Sequence, residues 1–240
     1  MSTLYLVRHG QAGTRDAYDS LSQLGKRQAR LLGEHFISQE IRFDSAYVGA
    51  LWRQRQTADG IGATYADACV AFPSVTVDSA WDEFDLGRVY REIAPRLCAE
   101  DPQFRREYEA MREQVRISEG AHAARIHRKW LPCDTKLVEA WIGGRYPYHG
   151  ETWNQFHERV AACRLKISET RENILIITSA TPVAIWTGLS LEISDQRIMQ
   201  LAGAVYNASY TVLRLREARL RLFTFNAAPH LAAPGLRTHR

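Results

Sequence analysis

Cysteine is scarce in this chain, and what there is does not pair. Cys69, Cys98, Cys133 and Cys163 contain no CxxC spacing, which removes zinc ribbons and dithiol redox centres and points to four reduced thiols. No apolar run approaches the roughly 18 residues needed to cross a membrane. The apolar part of Met1–Arg8 is also too short for a secretory signal. A cytoplasmic protein without a membrane partner is therefore expected. Lysine and arginine are scattered and form no basic block. The balance of 31 Lys and Arg against 27 Asp and Glu leaves only +4, which gives no footing for nucleic-acid binding. The histidines show neither HExxH nor i, i+4 pairing, and there is no Walker-type phosphate loop, so no metal, nucleotide or other cofactor is expected. Internal repeats and low-complexity segments are absent.

With 45% hydrophobic residues, 240 residues can bury one sizeable core. Short β-branched or aromatic runs alternate with helical spacing. Thr3–Val7 reads as a buried strand ending at Arg8-His9-Gly10. Leu24, Gln28, Leu31, Leu32, His35 and Phe36 mark a helix within Leu21–Ser38. Ala46–Val48 and Val75–Val77 are further strand candidates, with a helix from about Leu51 to Ala66 between them. Asp101-Pro102 supplies an N-cap and a first-turn proline ahead of the stripe Phe104, Tyr108, Met111 and Val115. Thr152 and Gln155 have capping-box spacing before Phe156, Val160, Cys163 and Ile167. Asn173–Thr178 is the most apolar strand and reads as central. Tyr210–Leu215 and Arg219–Phe225 read as an antiparallel edge hairpin. The sum is one α/β domain, a three-layer α/β/α sandwich with a mostly parallel mixed central sheet. Residues from about 88 to 148 form a helical excursion over the site. The tail 232–240 is expected to fray.

The chemistry concentrates where the first strand ends. An imidazole at His9 can attack phosphorus and hold the phosphoryl group, splitting one transfer into two steps. Arg8 offers a planar fork of donors, and Gly10 lets backbone approach an anion. A lone Arg-His-Gly triplet is a weak signal, but it does not stand alone. Leu4–Ala12, Leu21-Ser22-Gln23-Leu24-Gly25-Lys26-Arg27-Gln28-Ala29, Leu51–Ala58 and Asp82-Glu83-Phe84-Asp85-Leu86-Gly87 resemble, in order, the motifs of the histidine phosphatase superfamily, the phosphoglycerate-mutase-like group. Gly150-Glu151-Thr152, Ile174–Thr178, Asn207-Ala208-Ser209, Asn226 and His230-Leu231 fall where that family has like segments. The resemblance spans residues 3 to 231, poorest over Arg88–Tyr148.

The resemblance implies that His9 is the nucleophile and that Arg8 and a second arginine bind phosphoryl oxygens, with Gln11 beside them. Residues 53 and 55 point about 200° apart on a helix, so only one faces the pocket. Register with Gln56-Thr57-Ala58 selects Arg53 over Arg55. Glu83 matches the carboxylate that protonates the leaving group and then activates water; Asp82 and Asp85 are its competitors if the register slips. One position departs from the pattern. After the central strand the family has a histidine, and here Ser179 stands in its place. Losing one pre-organised donor costs about 2.7–4 kcal/mol, or roughly 10²–10³ in rate. Against accelerations of up to about 10²¹ for phosphate monoesters, that slows a catalyst without killing it.

The expected activity is thus hydrolysis of a small phosphorylated substrate through phosphohistidine, with phosphomutase activity less favoured. The rival is a degenerate phospho-ligand or phosphoprotein binder. His149 is a candidate to enter the site, whereas His122, His127 and His157 read as surface or packing residues. Trp81, Phe84, Tyr90, Trp141, Tyr146 and Tyr148 could line a substrate pocket, with at least half of them core rings.

Overall fold

The computed structural model describes residues 1–13, 19–117, 131–167, 170 and 172–239; His122 and His127 lie outside them. The chain divides into two compact units, Met1–Glu83 with Val160–His239, and Phe84–Arg159.

The first unit is built on a six-stranded sheet in the order β3-β2-β4-β1-β5-β6. Strands β1 (Ser2–Arg8), β2 (Ser45–Val48), β3 (Val75–Val77) and β4 (Asn173–Thr178) are mutually parallel, and the hairpin β5 (Tyr210–Arg216) and β6 (Arg219–Ala227) joins antiparallel to β1. β4 lies between β2 and β1, so both its edges are paired, and residues Ile174 to Thr178 are fully buried. Helices α1 (Gln23–Ser38) and α2 (Trp52–Asp67) cover one face. There Leu32, Phe36, Ala58, Ile61 and Tyr65 pack on Val7, Leu175, Ile177, Ala46 and Val48. Leu4, Leu6 and Ile176 point the other way, because side chains alternate along a strand.

On that second side α7 (Ala180–Leu191) packs against β1, β5 and β6, and α8 (Asp195–Ala204) packs on α7. The run from Thr181 to Gly188 is buried without a break, so α7 carries no amphipathic stripe to read. Its Trp186 donates from Nε1 to the Val160 carbonyl at 3.0 Å, and its ring lies 5.1 Å from Trp81.

The second unit holds α3 (Leu86–Glu100), α4 (Pro102–Ile117), α5 (Pro132–Ile142) and most of α6 (Trp153–Ala162), so the described part of the poorly matched stretch is largely helical. Asp85 caps α3 through the Arg88 amide at 2.9 Å, and Thr152 with Gln155 forms the reciprocal box at α6. Phe84 and Trp141 stack at 4.6 Å against Phe156, which makes them core rings. His149 is exposed, its amide donating to Glu92 at 2.8 Å. His157 packs beside the Trp153 ring.

The tail departs from expectation. Leu231 is fully buried, Gln28 donates from Nε2 to the Leu236 carbonyl at 2.7 Å, and the Asn207 amide donates to the Thr238 carbonyl at 2.8 Å. Its polar and proline-containing composition hid these long-range partners. The four cysteines are free thiols, and no described helix is long and apolar enough to cross a membrane.

Two outcomes follow for stability. The β5–β6 turn uses Glu217 and Ala218 at φ 52° and 59°, the left-handed pair of a two-residue hairpin turn that favours Asn-Gly. Ala218→Gly should therefore raise stability by about 0.5–1 kcal/mol in urea unfolding, relief of left-handed strain exceeding the entropy that glycine adds to the unfolded chain. His230 is pushed down to about 4, first by burial and then by His35, stacked on it at 5.8 Å. Because the unfolded chain takes up this proton near the ordinary value of about 6.5 and the folded chain does not, stability should fall as pH drops from about 6.5 toward 4. His230→Phe should flatten that slope in urea midpoints measured from pH 7 to pH 4.

Candidate active site

The parallel pairing of β1 with β4 ends at Arg8 and Thr178, and the His9 amide donates to the Thr178 carbonyl at 2.9 Å. His9 and Ser179 are thus the first residues past two adjacent strands, about 4.8 Å apart by sheet geometry. The loop after His9 is clamped from several directions. Gly10 donates its amide to Thr57 Oγ1 at 3.0 Å and Gln11 its amide to Gln28 Oε1 at 2.8 Å, which ties it to both α2 and α1. A Cβ on Gly25 would run into the Gln11 carbonyl, so α1 begins hard against this loop only because residue 25 is glycine. From the other side, Ala208 donates to the Arg8 carbonyl at 3.0 Å and Asn207 Nδ2 to the His9 carbonyl at 3.2 Å.

His9 is 5% exposed, and its two ring nitrogens are distinguishable. Nδ1 lies 2.7 Å from the Gly10 carbonyl, which can only accept, so Nδ1 carries the proton. Nε2 then presents its lone pair, and Arg53 donates into it from Nε at 3.1 Å. Burial first, then the charges of Arg53 and Arg8, hold the imidazole well below the usual histidine range. The ring is therefore neutral at pH 7, with its free nitrogen toward a guanidinium.

Arg53 is buried, and it also donates from a terminal nitrogen to Asp19 at 3.0 Å, while Arg55 is exposed beside Trp52. Arg8 is buried and donates to the Val205 carbonyl. Gln11 accepts from Ser22 Oγ at 2.9 Å, and its Nε2 is a buried donor without a partner among the described residues. Glu83 accepts the Thr181 amide at 3.1 Å through Oε2, at the first turn of α7. Its two competitors have other work. Asp82 takes the Ala50 amide at 2.6 Å and the Leu51 amide at 3.3 Å just ahead of α2, and Asp85 caps α3.

Ser179 is 1% exposed, and its Oγ accepts from Gln54 Nε2 at 2.9 Å. Among the described residues, no group of three or more His, Cys, Asp or Glu side chains is arranged to hold a metal ion.

The sequence model of the histidine phosphatase superfamily (branch 1) matches residues 4–145 and 134–228. The chain belongs to the histidine phosphatase superfamily. No match is found among curated proteins.

Among solved structures, this superfamily member is similar to an Entamoeba histolytica phosphoserine phosphatase in complex with 3-phosphoglyceric acid, at 16% identity and a TM-score of 0.61, covering 96% of this chain and 100% of the other. A mycobacterial glucosyl-3-phosphoglycerate phosphatase in complex with VO3 is 20% identical, with a TM-score of 0.57 and coverage of 95% and 100%. A Bacillus anthracis phosphoglycerate mutase is 17% identical, with a TM-score of 0.60 and coverage of 96% and 95%. At these identities the likeness is one of fold.

Sequence reasoning missed Asp19, Gln54 and Thr57 of this superfamily member. The signal was present in α2, where Arg53, Gln54, Thr57 and Ala58 share the buried face and three of the four are polar. A polar inward stripe marks a helix that faces a site or a hydrogen-bonded network.

The site generates one direct test. By 15N NMR, His9 should remain neutral with its proton on Nδ1 at pH values where an ordinary histidine charges. Arg53→Leu should move its titration upward but not to the usual range, because burial is the larger cause. Titration of wild-type His9 near 6.5 would contradict this electrostatic account.

Proposed function

We propose that the protein is a phosphatase that hydrolyses a small phosphomonoester through a phosphohistidine on His9. The observation that carries this reading is the buried neutral imidazole, whose protonated nitrogen faces the Gly10 carbonyl and whose lone-pair nitrogen faces Arg53. A neutral ring with a fixed tautomer is ready to attack, whereas a charged one is not.

In the first half-reaction Nε2 forms a bond to phosphorus and the ester P–O bond breaks. The Arg53 N–H leaves the lone pair for a phosphoryl oxygen, joined by Arg8, the Gln11 amide and the Ser179 hydroxyl. Glu83, as the acid, gives its proton to the departing oxygen. In the second, the Glu83 carboxylate takes a proton from water as its oxygen attacks phosphorus, the P–N bond breaks, and His9 is released neutral with inorganic phosphate. No step calls on a metal ion. The folds of a phosphoserine phosphatase and a glucosyl-3-phosphoglycerate phosphatase support a small phosphorylated substrate. The phosphoglycerate mutase likeness keeps transfer to a second hydroxyl as a lesser variant.

Ser179 favours a second reading, a protein that binds a phosphorylated ligand without turning it over. Turnover of p-nitrophenyl phosphate separates the two. Slow hydrolysis that survives EDTA is expected, abolished by His9→Ala and lowered about 10²–10⁴-fold in kcat by Glu83→Gln. Equal rates for wild type and His9→Ala, with vanadate still bound, would select the binding reading.

A further inference from the structure

Ser179 directly precedes α7, the place where a serine ordinarily turns its oxygen back onto an amide of the first turn. Here its side chain makes no such bond. The Thr181 amide is taken by Glu83 at 3.1 Å, and the Ser179 oxygen accepts instead from Gln54 Nε2 at 2.9 Å. Gln54 is fully buried, and the same Nε2 lies 3.5 Å from the Trp81 carbonyl. The amide nitrogen thus faces two oxygens, Ser179 Oγ and the Trp81 carbonyl, while Gln54 Oε1 is buried without a partner among the described residues. A hydroxyl has one proton to donate and two lone pairs to accept with. With a lone pair holding Gln54, and no acceptor for the hydroxyl proton among the described residues, that proton is left for a ligand oxygen. The β1–β4 register puts Ser179 next to His9.

We propose that Gln54 is a positioning residue that makes Ser179 a directed donor to the phosphoryl group on His9, so that the pair occupies the place an imidazole would take. The proposal rests on the phosphatase reading for the identity of the ligand. It also has a steric side. Ser179 is 1% exposed and its Oγ already lies 2.9 Å from Gln54 Nε2, so a side chain longer than serine on that path meets the Gln54 amide. The site is built for the serine–glutamine pair, and neither member can be exchanged alone.

The test is a double-mutant cycle on p-nitrophenyl phosphate hydrolysis, with vanadate affinity measured on the same proteins. Ser179→Ala and Gln54→Leu should each lower kcat roughly tenfold or more with a smaller change in KM, and the double variant should lose no more than the worse single one. Gln54→Glu keeps the shape but turns the amide into an acceptor. Its loss should match or exceed that of Gln54→Leu and deepen as pH rises through the carboxyl titration, which a purely structural role would not produce. Ser179→His alone should lower turnover, and adding Gln54→Ala should recover part of it.

Multiplying losses in the Ser179→Ala/Gln54→Leu protein, an unchanged Gln54→Leu enzyme, or a gain from Ser179→His alone would overturn the proposal. If wild-type turnover does not depend on His9, the phosphatase reading fails separately, and vanadate affinity decides: a non-additive loss sustains the Gln54 role and an additive or absent one overturns it.

Discussion

The parallel ladder between β1 and β4 is the constraint on which the rest depends. It ends level at Arg8 and Thr178, so the chain turns out of the sheet twice at one height, once through His9 and once through Ser179. His9 donates its amide to the Thr178 carbonyl of β4, and its own carbonyl accepts from the Ala208 amide and the Asn207 side chain just ahead of β5. A side chain at the end of a central strand inherits the rigidity of the whole sheet.

Around that point the polar groups divide their tasks. The Gly10 carbonyl fixes the tautomer of His9, Arg53 meets the other nitrogen, and burial keeps the ring uncharged. The start of α7 shows the same economy of donors. Glu83 takes the amide that Ser179 would have capped, and Ser179 is freed to meet Gln54. Each contact constrains the next, because a buried hydroxyl or carboxylate has few bonding positions and leaving one empty costs roughly 1–3 kcal/mol.

Much of this was legible from residue order. The six strands fall where short apolar runs predicted them, because a strand must show its burial in its own side chains. His9, Arg53 and Glu83 were proposed by motif and register, and the choice of Arg53 over Arg55, made by helix geometry together with that register, agrees with Arg53 being buried and Arg55 exposed. The helix Ala180–Leu191 was not legible by periodicity, since a helix buried on nearly every side shows no polar face. Nor was the anchoring of the tail, whose partners Gln28 and Asn207 lie far off in the chain.

The amino-acid order alone therefore settled the fold class and the family and supplied the candidate site residues, because these rest on local periodicity and short motifs. The three-dimensional packing decided the rest: which ring nitrogen of His9 carries the proton, that Asp85 caps α3 while Glu83 takes the Thr181 amide, and what Ser179 touches. The Arg53–His9, Glu83–Thr181 and Gln54–Ser179 bonds join residues 44, 98 and 125 positions apart in the chain. Such partners meet only when the sheet and its covering helices close.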